Sequence, residues 1–228
     1  MKKYYVFKIN ISILNVIAVI LLIGVIVFTA VLFPNMMFNS MEIFSDFKTT
    51  LLFVPLMVFY LILHELFHAL GYIVNGADYK KITFGAEIEK GVLYCLCKDD
   101  ITKKNILMSL MYPLFFLGVV TYIISIVFNL PVLLILSIIN ISGAAGDIMY
   151  FLFIVKLEKN MLFSEMDDGT SFAIKSKTDP TKITHYGLDY VGEESRISRK
   201  DFKRIKISKL SWVFFIIATM MLIFSFFV

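Results

Sequence analysis

The chain has 228 residues, of which 59% are hydrophobic and only 18% are charged. A soluble domain of this size does not need so much apolar surface, so the composition indicates a protein that spans a membrane several times. Two cysteines are too few for a disulfide framework, and the formal net charge of +4 is modest.

Five apolar segments follow one another along the chain, and each is long enough to cross about 30 Å of hydrocarbon. The predicted spans are Ile11–Phe33, Thr49–Val74, Ile106–Phe128, Val132–Val155 and Leu210–Val228. We therefore predict an all-α polytopic membrane protein with about five transmembrane helices. Residues 1–155 would form the membrane bundle core, residues 156–209 a cytoplasmic connection, and residues 210–228 a C-terminal transmembrane helix.

The connection between the second and third spans, residues 77–100, predicts a small cytoplasmic β-hairpin. Lys80–Glu89 and Val92–Lys98 are rich in β-branched and aromatic residues. The edge of this hairpin could pair with an extended substrate, or the hairpin could lie at the membrane surface without a ligand. Cys95 and Cys97 share one face of the second strand, and we interpret them as structural thiols.

The distribution of basic residues predicts the orientation. Every lysine and arginine except Lys48 lies in the N-terminal tail, the second-to-third connection or the fourth-to-fifth connection. The positive-inside rule then predicts a multi-pass protein of the cell membrane with a cytoplasmic N-terminus. Basic Arg196–Lys209 flanks the last span, where it would contact anionic lipid of the bilayer. This charge lies at a membrane boundary and gives no support to nucleic-acid binding.

Within the connection formed by residues 156–209, the residues Phe172–Ile174 predict a short strand.

The second span carries the motif His64-Glu65-Leu66-Phe67-His68. His64 and His68 are one helical turn apart, so both imidazoles project from one face, and this spacing is typical of half of a zinc site. Glu65, beside that face, is the candidate catalytic base. The alternative is a polar cluster that only joins helices. Ionisable groups within a membrane segment usually mark a functional site, which favours the metal.

A catalytic zinc usually has three protein ligands, so a third ligand is expected. Asp147 is the only other acidic residue within the apolar segments. Helical rise puts it about 12 Å from the cytoplasmic end of its predicted span, a depth between those of His64 and His68 in theirs. His185 in the connection is the alternative. Asn140 lies two turns before Asp147 on the same face of the predicted helix, and it could bind a substrate backbone or attach to the third helix. Small residues at 142–146 predict close helix packing.

The HELFH motif, followed one helical hairpin later by NISGAAGD at residues 140–147, resembles the intramembrane metalloproteases of the site-2 protease class. It resembles more closely the bacterial membrane proteins of the "putative zincin peptidase" family. The resemblance covers about Leu51–Val155 and implies Zn²⁺ bound by His64, His68 and Asp147, with Glu65 as base. Site-2 proteases usually carry prolines before this aspartate, and none lies between Asn140 and Asp147 here.

These observations predict an intramembrane zinc metalloprotease that hydrolyses peptide bonds of membrane-associated protein or peptide substrates. The alternative is a non-catalytic, zinc-stabilised membrane scaffold or partner-binding protein. A fourth protein ligand, such as His185 or a cysteine, would close the site and favour that structural role. A zinc transporter is a weaker third option, because only one intramembrane cluster of ligands is visible in the sequence.

Overall fold

The computed structural model describes residues 4–45, 47–87, 92–166 and 170–194. The first two apolar segments form long helices, α1 (Ile11–Leu32) and α3 (Phe47–Val74), with the short helix α2 (Pro34–Glu42) between them. Asn10 caps the N-terminus of α1, where its side chain accepts a hydrogen bond from the N–H of Ile13 at 3.2 Å. Pro55 lies inside α3.

The third apolar segment is one helical rod with three parts. Helix α4 (Lys103–Pro113) continues as a π-helical stretch, Leu114–Val120, and then as α5 (Thr121–Val127). A change from i→i+4 to i→i+5 pairing leaves carbonyl groups at the junction available to side chains. The carbonyls of Pro113 and Leu117 both accept side-chain hydrogen bonds from other helices.

The fourth segment is broken rather than continuous. Helix α6 (Pro131–Gly143) and helix α7 (Ala145–Ile154) meet at Ala144 with a bend of 43°. No proline is present at the break, where the backbone of Ala144 leaves the helical region (φ −73°, ψ 10°). Within the described residues, three helices are long and apolar enough to cross a membrane, or four if the bent pair counts as one span.

The predicted hairpin is confirmed. Strands β2 (Ile82–Glu87) and β3 (Val92–Cys97) pair antiparallel, with Phe84 opposite Cys95. The hairpin forms a two-stranded sheet of its own and packs against α3.

The all-α prediction was incomplete, because the chain also contains a five-stranded antiparallel sheet. Its strands are β1 (Tyr4–Ile9), β4 (Ile101–Thr102), β5 (Leu162–Glu165), β6 (Ser171–Lys175) and β7 (Leu188–Glu194), in the order β4-β5-β6-β1-β7. The predicted strand Phe172–Ile174 lies within β6. The other four were missed for two reasons. β1, β4 and β7 pair with strands that are distant in the sequence, with Val6 of β1 facing Ala173 of β6, and β5 has only four residues.

The sheet joins the helices at one set of ends. Strand β1 leads directly into α1, β4 leads into α4, and β5 follows α7. Below the sheet lies a buried core in which Phe7 and Phe172 of the sheet pack against Phe153 of α7 and Ile106 of α4. The described part of the predicted connection is therefore packed into one sheet with the N-terminus. Arg196–Lys209 and the predicted span Leu210–Val228 lie outside the described residues.

Candidate metal centre

Helix α3 presents the two histidines of the motif side by side. Their Nε2 atoms are 3.2 Å apart, and the rings meet edge to face with centroids 4.8 Å apart. The side chains are 13% and 10% exposed, for His64 and His68 respectively. Glu65 lies with them, since one ligand atom from each of the three residues falls within 4.8 Å of the others. The predicted one-turn spacing thus brings three candidate groups into one cluster.

Asp147 reaches the same cluster from α7. Its Oδ2 lies 3.3 Å from Nε2 of His64, and its Oδ1 lies 3.4 Å from Nε2 of His68. The residue sits in the first turn of α7, directly after the break at Ala144. The break therefore sets the direction in which α7 presents this carboxylate to α3.

Asn140 fixes the orientation of the His64 ring. Its amide nitrogen donates to the carbonyl of Pro113 at 3.0 Å, so its amide oxygen is the atom that faces Nδ1 of His64, at 2.8 Å. An oxygen at this position accepts a hydrogen bond, so Nδ1 of His64 carries the proton. Of the two alternatives for Asn140, the attachment to the third helix is present, and it extends to His64. Gly118 permits this approach, because a Cβ there would lie 2.9 Å from Ile141.

Ser109 holds the second histidine in a similar way. The carbonyl oxygen of Ser109 lies 2.9 Å from Nδ1 of His68, and the Ser109 hydroxyl donates to the carbonyl of His68 at 2.9 Å. A carbonyl can only accept, so Nδ1 of His68 also carries a proton. Gly71 makes this contact possible, because a Cβ at residue 71 would lie 2.6 Å from the Cα of Ser109. Gly71 therefore packs against α4.

The small residues at 142–146 contact other parts of the chain. The Ser142 hydroxyl donates to the carbonyl of Ala18 in α1 at 2.9 Å. Ala144 and Ala145 are fully buried. A Cβ at Gly143 would meet nothing within 4 Å, whereas one at Gly146 would touch Ile9 and Leu14 side chains at 3.7 Å. The patch therefore supports packing of the fourth segment on α1.

The donor set fits a metal ion. With both Nδ1 atoms protonated, the neutral rings of His64 and His68 direct two Nε2 lone pairs toward each other and toward the Asp147 carboxylate. Within the described part of the chain, the buried Oδ2 of Asp147 has no hydrogen-bond donor. Three facing acceptors need a proton or a metal ion between them, and two imidazole nitrogens with one carboxylate oxygen are a typical ligand set of zinc.

Glu65 is held by the hairpin. The backbone N–H of Cys95 in β3 faces its carboxylate. The side chains of Cys95 and Cys97 are buried, and burial raises the pKa of the Cys95 thiol. The N–H of Cys97 donates to the Glu165 carboxylate at 2.6 Å. The outer edge of β3 thus faces two carboxylates of the chain itself, and pairing with a substrate strand stays a prediction.

His185 is placed elsewhere in the fold. Its ring packs edge-on against Phe7 and Phe153, with centroid distances of 5.3 Å and 6.0 Å, and its Nε2 lies 3.2 Å from the carbonyl of Thr181. It is a half-buried partner of the aromatic core under the sheet. Sequence reasoning also missed Ser109 and Glu165. The only signal for Ser109 was Gly71, a small residue one turn beyond His68.

Residues 57–162 match the model of a family described as "Putative zincin peptidase". The matched range contains the HELFH motif, the hairpin and Asp147. The match supports a zincin-like family, and with it a metallopeptidase with zinc as the metal. No curated protein and no solved structure matches the chain.

Proposed function

We propose that this chain is an intramembrane zinc metalloprotease, and that His64, His68 and Asp147 hold the ion. The observation that carries the proposal is the pair of fixed tautomers. Asn140 and Ser109 each occupy an Nδ1–H, so both Nε2 lone pairs are available on the side that Asp147 faces. Such outer partners orient metal-binding histidines and raise their basicity.

The membrane setting rests on the helices and on the sheet that joins them. Helix α1 has a mean hydropathy of 3.1, and it exposes large apolar side chains such as Ile20 and Val31 along its length. An open sheet, whose edge strands leave backbone groups unpaired, cannot cross hydrocarbon, so the ends of α1, α4 and α7 that join it belong on one side of the membrane. That side carries the predicted basic loops, which supports a cytoplasmic N-terminus. Water would reach the cluster from this side.

The reaction we propose is peptide-bond hydrolysis. Zinc at such a site supplies Lewis acidity, which polarises a carbonyl group and makes a water molecule more acidic. A carboxylate oxygen of Glu65 takes one proton from the attacking water as its oxygen bonds to the peptide carbon. Glu65 then gives this proton to the amide nitrogen as the C–N bond breaks, so the base returns to its starting state. The N–H of Cys95 keeps the carboxylate in place meanwhile.

The substrates we propose are membrane-associated proteins or peptides, because the cluster lies on a helix that is apolar enough to cross the bilayer. A soluble substrate would have to bring an extended segment to α3 from the side of the sheet. The hairpin is the element that such a segment would meet beside Glu65.

The experiment compares the wild-type chain with Glu65→Gln, each purified as the full chain in detergent. Metal analysis should find about one zinc per chain in both. Comparison of new peptide N-termini in membranes that contain either form should find cleavage products only with the wild type. A Glu65→Gln variant that still cleaves would exclude the base role, and a wild type without zinc would exclude the metal site. Glu158→Gln, which changes a carboxylate remote from the motif, is the matched control.

A zinc-stabilised scaffold is the second candidate, and the same experiment separates it from the enzyme. It would bind zinc in both forms and produce no cleavage with either. It would need a fourth protein ligand, and the aromatic packing of His185 speaks against that residue. Among the described residues, the cluster of candidate ligands around the motif contains His64, Glu65 and His68 and no cysteine.

A further inference from the structure

A third carboxylate near the candidate metal centre, that of the half-buried Glu165 in β5, has no part in the reaction proposed above. Its Oε1 accepts a hydrogen bond from the Tyr72 hydroxyl at 2.8 Å, and its Oε2 accepts one from the N–H of Cys97 at 2.6 Å. Tyr72 is only 2% exposed. Each oxygen of this carboxylate therefore bonds a different element, α3 on one side and β3 on the other.

The two partners on each element lie on the same side of that element. Glu65 and Tyr72 are seven residues apart, so they share one face of α3, about 10 Å from each other along the axis. Cys95 and Cys97 are two residues apart, so their N–H groups point to the same edge of β3. This is the edge away from β2, because the next N–H, that of Lys98, donates to Lys81 across the hairpin.

Two sets of contacts, which we call the first and second rung, thus lie between α3 and the outer edge of β3. In the first rung, the N–H of Cys95 faces the Glu65 carboxylate directly. In the second rung, the Tyr72 hydroxyl and the N–H of Cys97 are both donors, and the carboxylate of Glu165 lies between them and accepts from each. The second rung fixes the position of β3 relative to the helix that carries the motif.

We infer that Glu165 is a positioning residue for Glu65: by holding Cys97 against Tyr72, it keeps the N–H of Cys95 bonded to the candidate base. The inference rests on the proposed function, because Glu65 is a base only if the chain is the enzyme. Its geometric part does not depend on catalysis. Loss of the second rung removes the acceptor that the buried N–H of Cys97 and the Tyr72 hydroxyl share, so β3 would move to bring the Cys97 N–H to water or another acceptor.

The test uses three variants of the full chain in lipid nanodiscs. Glu165→Gln keeps both bonds, because the amide oxygen can accept from Cys97 and the amide N–H can donate to Tyr72. Glu165→Leu keeps the approximate size and removes both bonds. Glu158→Leu is the matched control, since Glu158 also accepts two hydrogen bonds, from Ser176 and the N–H of Lys177.

The first measurement is hydrogen–deuterium exchange at the amides of β3, with residue-level fragmentation. We expect Glu165→Leu to accelerate exchange about tenfold or more at both Cys95 and Cys97, and Glu165→Gln and Glu158→Leu to stay within about threefold of the wild type. Unchanged exchange at Cys95 in Glu165→Leu would overturn the inference, because Glu165 would then hold Cys97 without any effect on the bond to Glu65. A Gln variant as disturbed as Leu would overturn it as well.

The second measurement is hydrolysis of fluorescein-labelled casein, together with zinc content. A misplaced base lowers the rate of the chemical step, so Glu165→Leu should lower kcat on the order of 10²-fold with KM and bound zinc nearly unchanged. Recovery of kcat in Glu165→Gln supports the positioning role, and loss of zinc in Glu165→Leu with lost activity would indicate general damage and overturn it. If the zinc-loaded wild type does not cleave, the proposed function fails on this probe, and the exchange data still decide the role of Glu165.

Discussion

The amide oxygen of Asn140 lies 2.8 Å from Nδ1 of His64, and the amide nitrogen of the same side chain donates to Pro113. One side chain on α6 therefore selects the tautomer of a histidine on α3. A carbonyl oxygen can only accept a hydrogen bond, so the amide nitrogen of Asn140 must face Pro113 and its amide oxygen must face His64. The metal site that we propose depends on this contact as much as on the histidine itself.

Asn140→Leu should weaken zinc binding. Without an acceptor at Nδ1, the His64 ring can turn or change tautomer, and loss of such an outer partner typically lowers metal affinity about 10–100-fold. Competition against a chelating zinc indicator measures the affinity. Ser137→Ala is the matched control, because Ser137 is a buried polar residue on the same helix that bonds only Leu134 of that helix. Equal affinities of Asn140→Leu and the wild type would contradict the tautomer argument.

Asp147→Ala should remove bound zinc. The substitution leaves two facing Nε2 atoms and takes away the only carboxylate within 3.4 Å of them in the described chain. Metal analysis of the purified variant measures the loss, and circular dichroism checks that the helices persist. Asp179→Asn is a suitable control, because Asp179 accepts hydrogen bonds only within its own turn, from Thr181. A full zinc content in Asp147→Ala would remove this residue from the ligand set.

Gly71→Ala should destabilise the packing of α3 on α4. The added Cβ would lie 2.6 Å from the Cα of Ser109, a backbone atom that cannot rotate away. Overpacking of this kind costs about 1–3 kcal/mol, and it would also separate His68 from the Ser109 carbonyl. Thermal unfolding in detergent and zinc affinity should therefore both fall. Gly24→Ala offers the control, since a Cβ at that position in α1 meets nothing within 4 Å.

Stability should depend on pH through Glu165. Burial raises the pKa of this carboxyl from 4.5 to about 7, although the bonds from Cys97 and Tyr72 act in the opposite direction. Because the folded state binds the proton more tightly than the unfolded state, this contribution is complete below about pH 4.5 and is lost as the pH rises to about 7. It amounts to at most about 3 kcal/mol.

Glu165→Gln removes this titration and should flatten that part of the pH profile of unfolding. Chemical denaturation of the full chain between pH 4.5 and 8 gives the comparison. A carboxyl group with a raised pKa makes the unfolding free energy fall as the pH rises. If the unfolding free energy of the wild type instead rose relative to the variant between pH 4.5 and 8, this prediction would be wrong.

The sequence was sufficient for the features that depend on local periodicity. A long apolar run identifies α1 and α3, because hydrocarbon-length helices need no information from distant residues. The one-turn spacing of His64 and His68 fixes a shared face for the same reason. The alternation in 82–97 was enough for the hairpin, whose strands are neighbours in the chain. The depth argument for Asp147 also used only helical rise, and the structure brings this carboxylate to the two imidazoles.

Only the tertiary structure decided which distant groups complete the site. Strand β1 and its partner β6 are separated by most of the chain, so no local pattern indicates their pairing. Nothing in the sequence near Ser109 indicates that its carbonyl orients His68. Nothing near Glu165 indicates that its carboxylate bridges Tyr72 and Cys97. Such contacts form where buried polar groups on separate elements must satisfy one another, and that requirement exists only after the elements have packed.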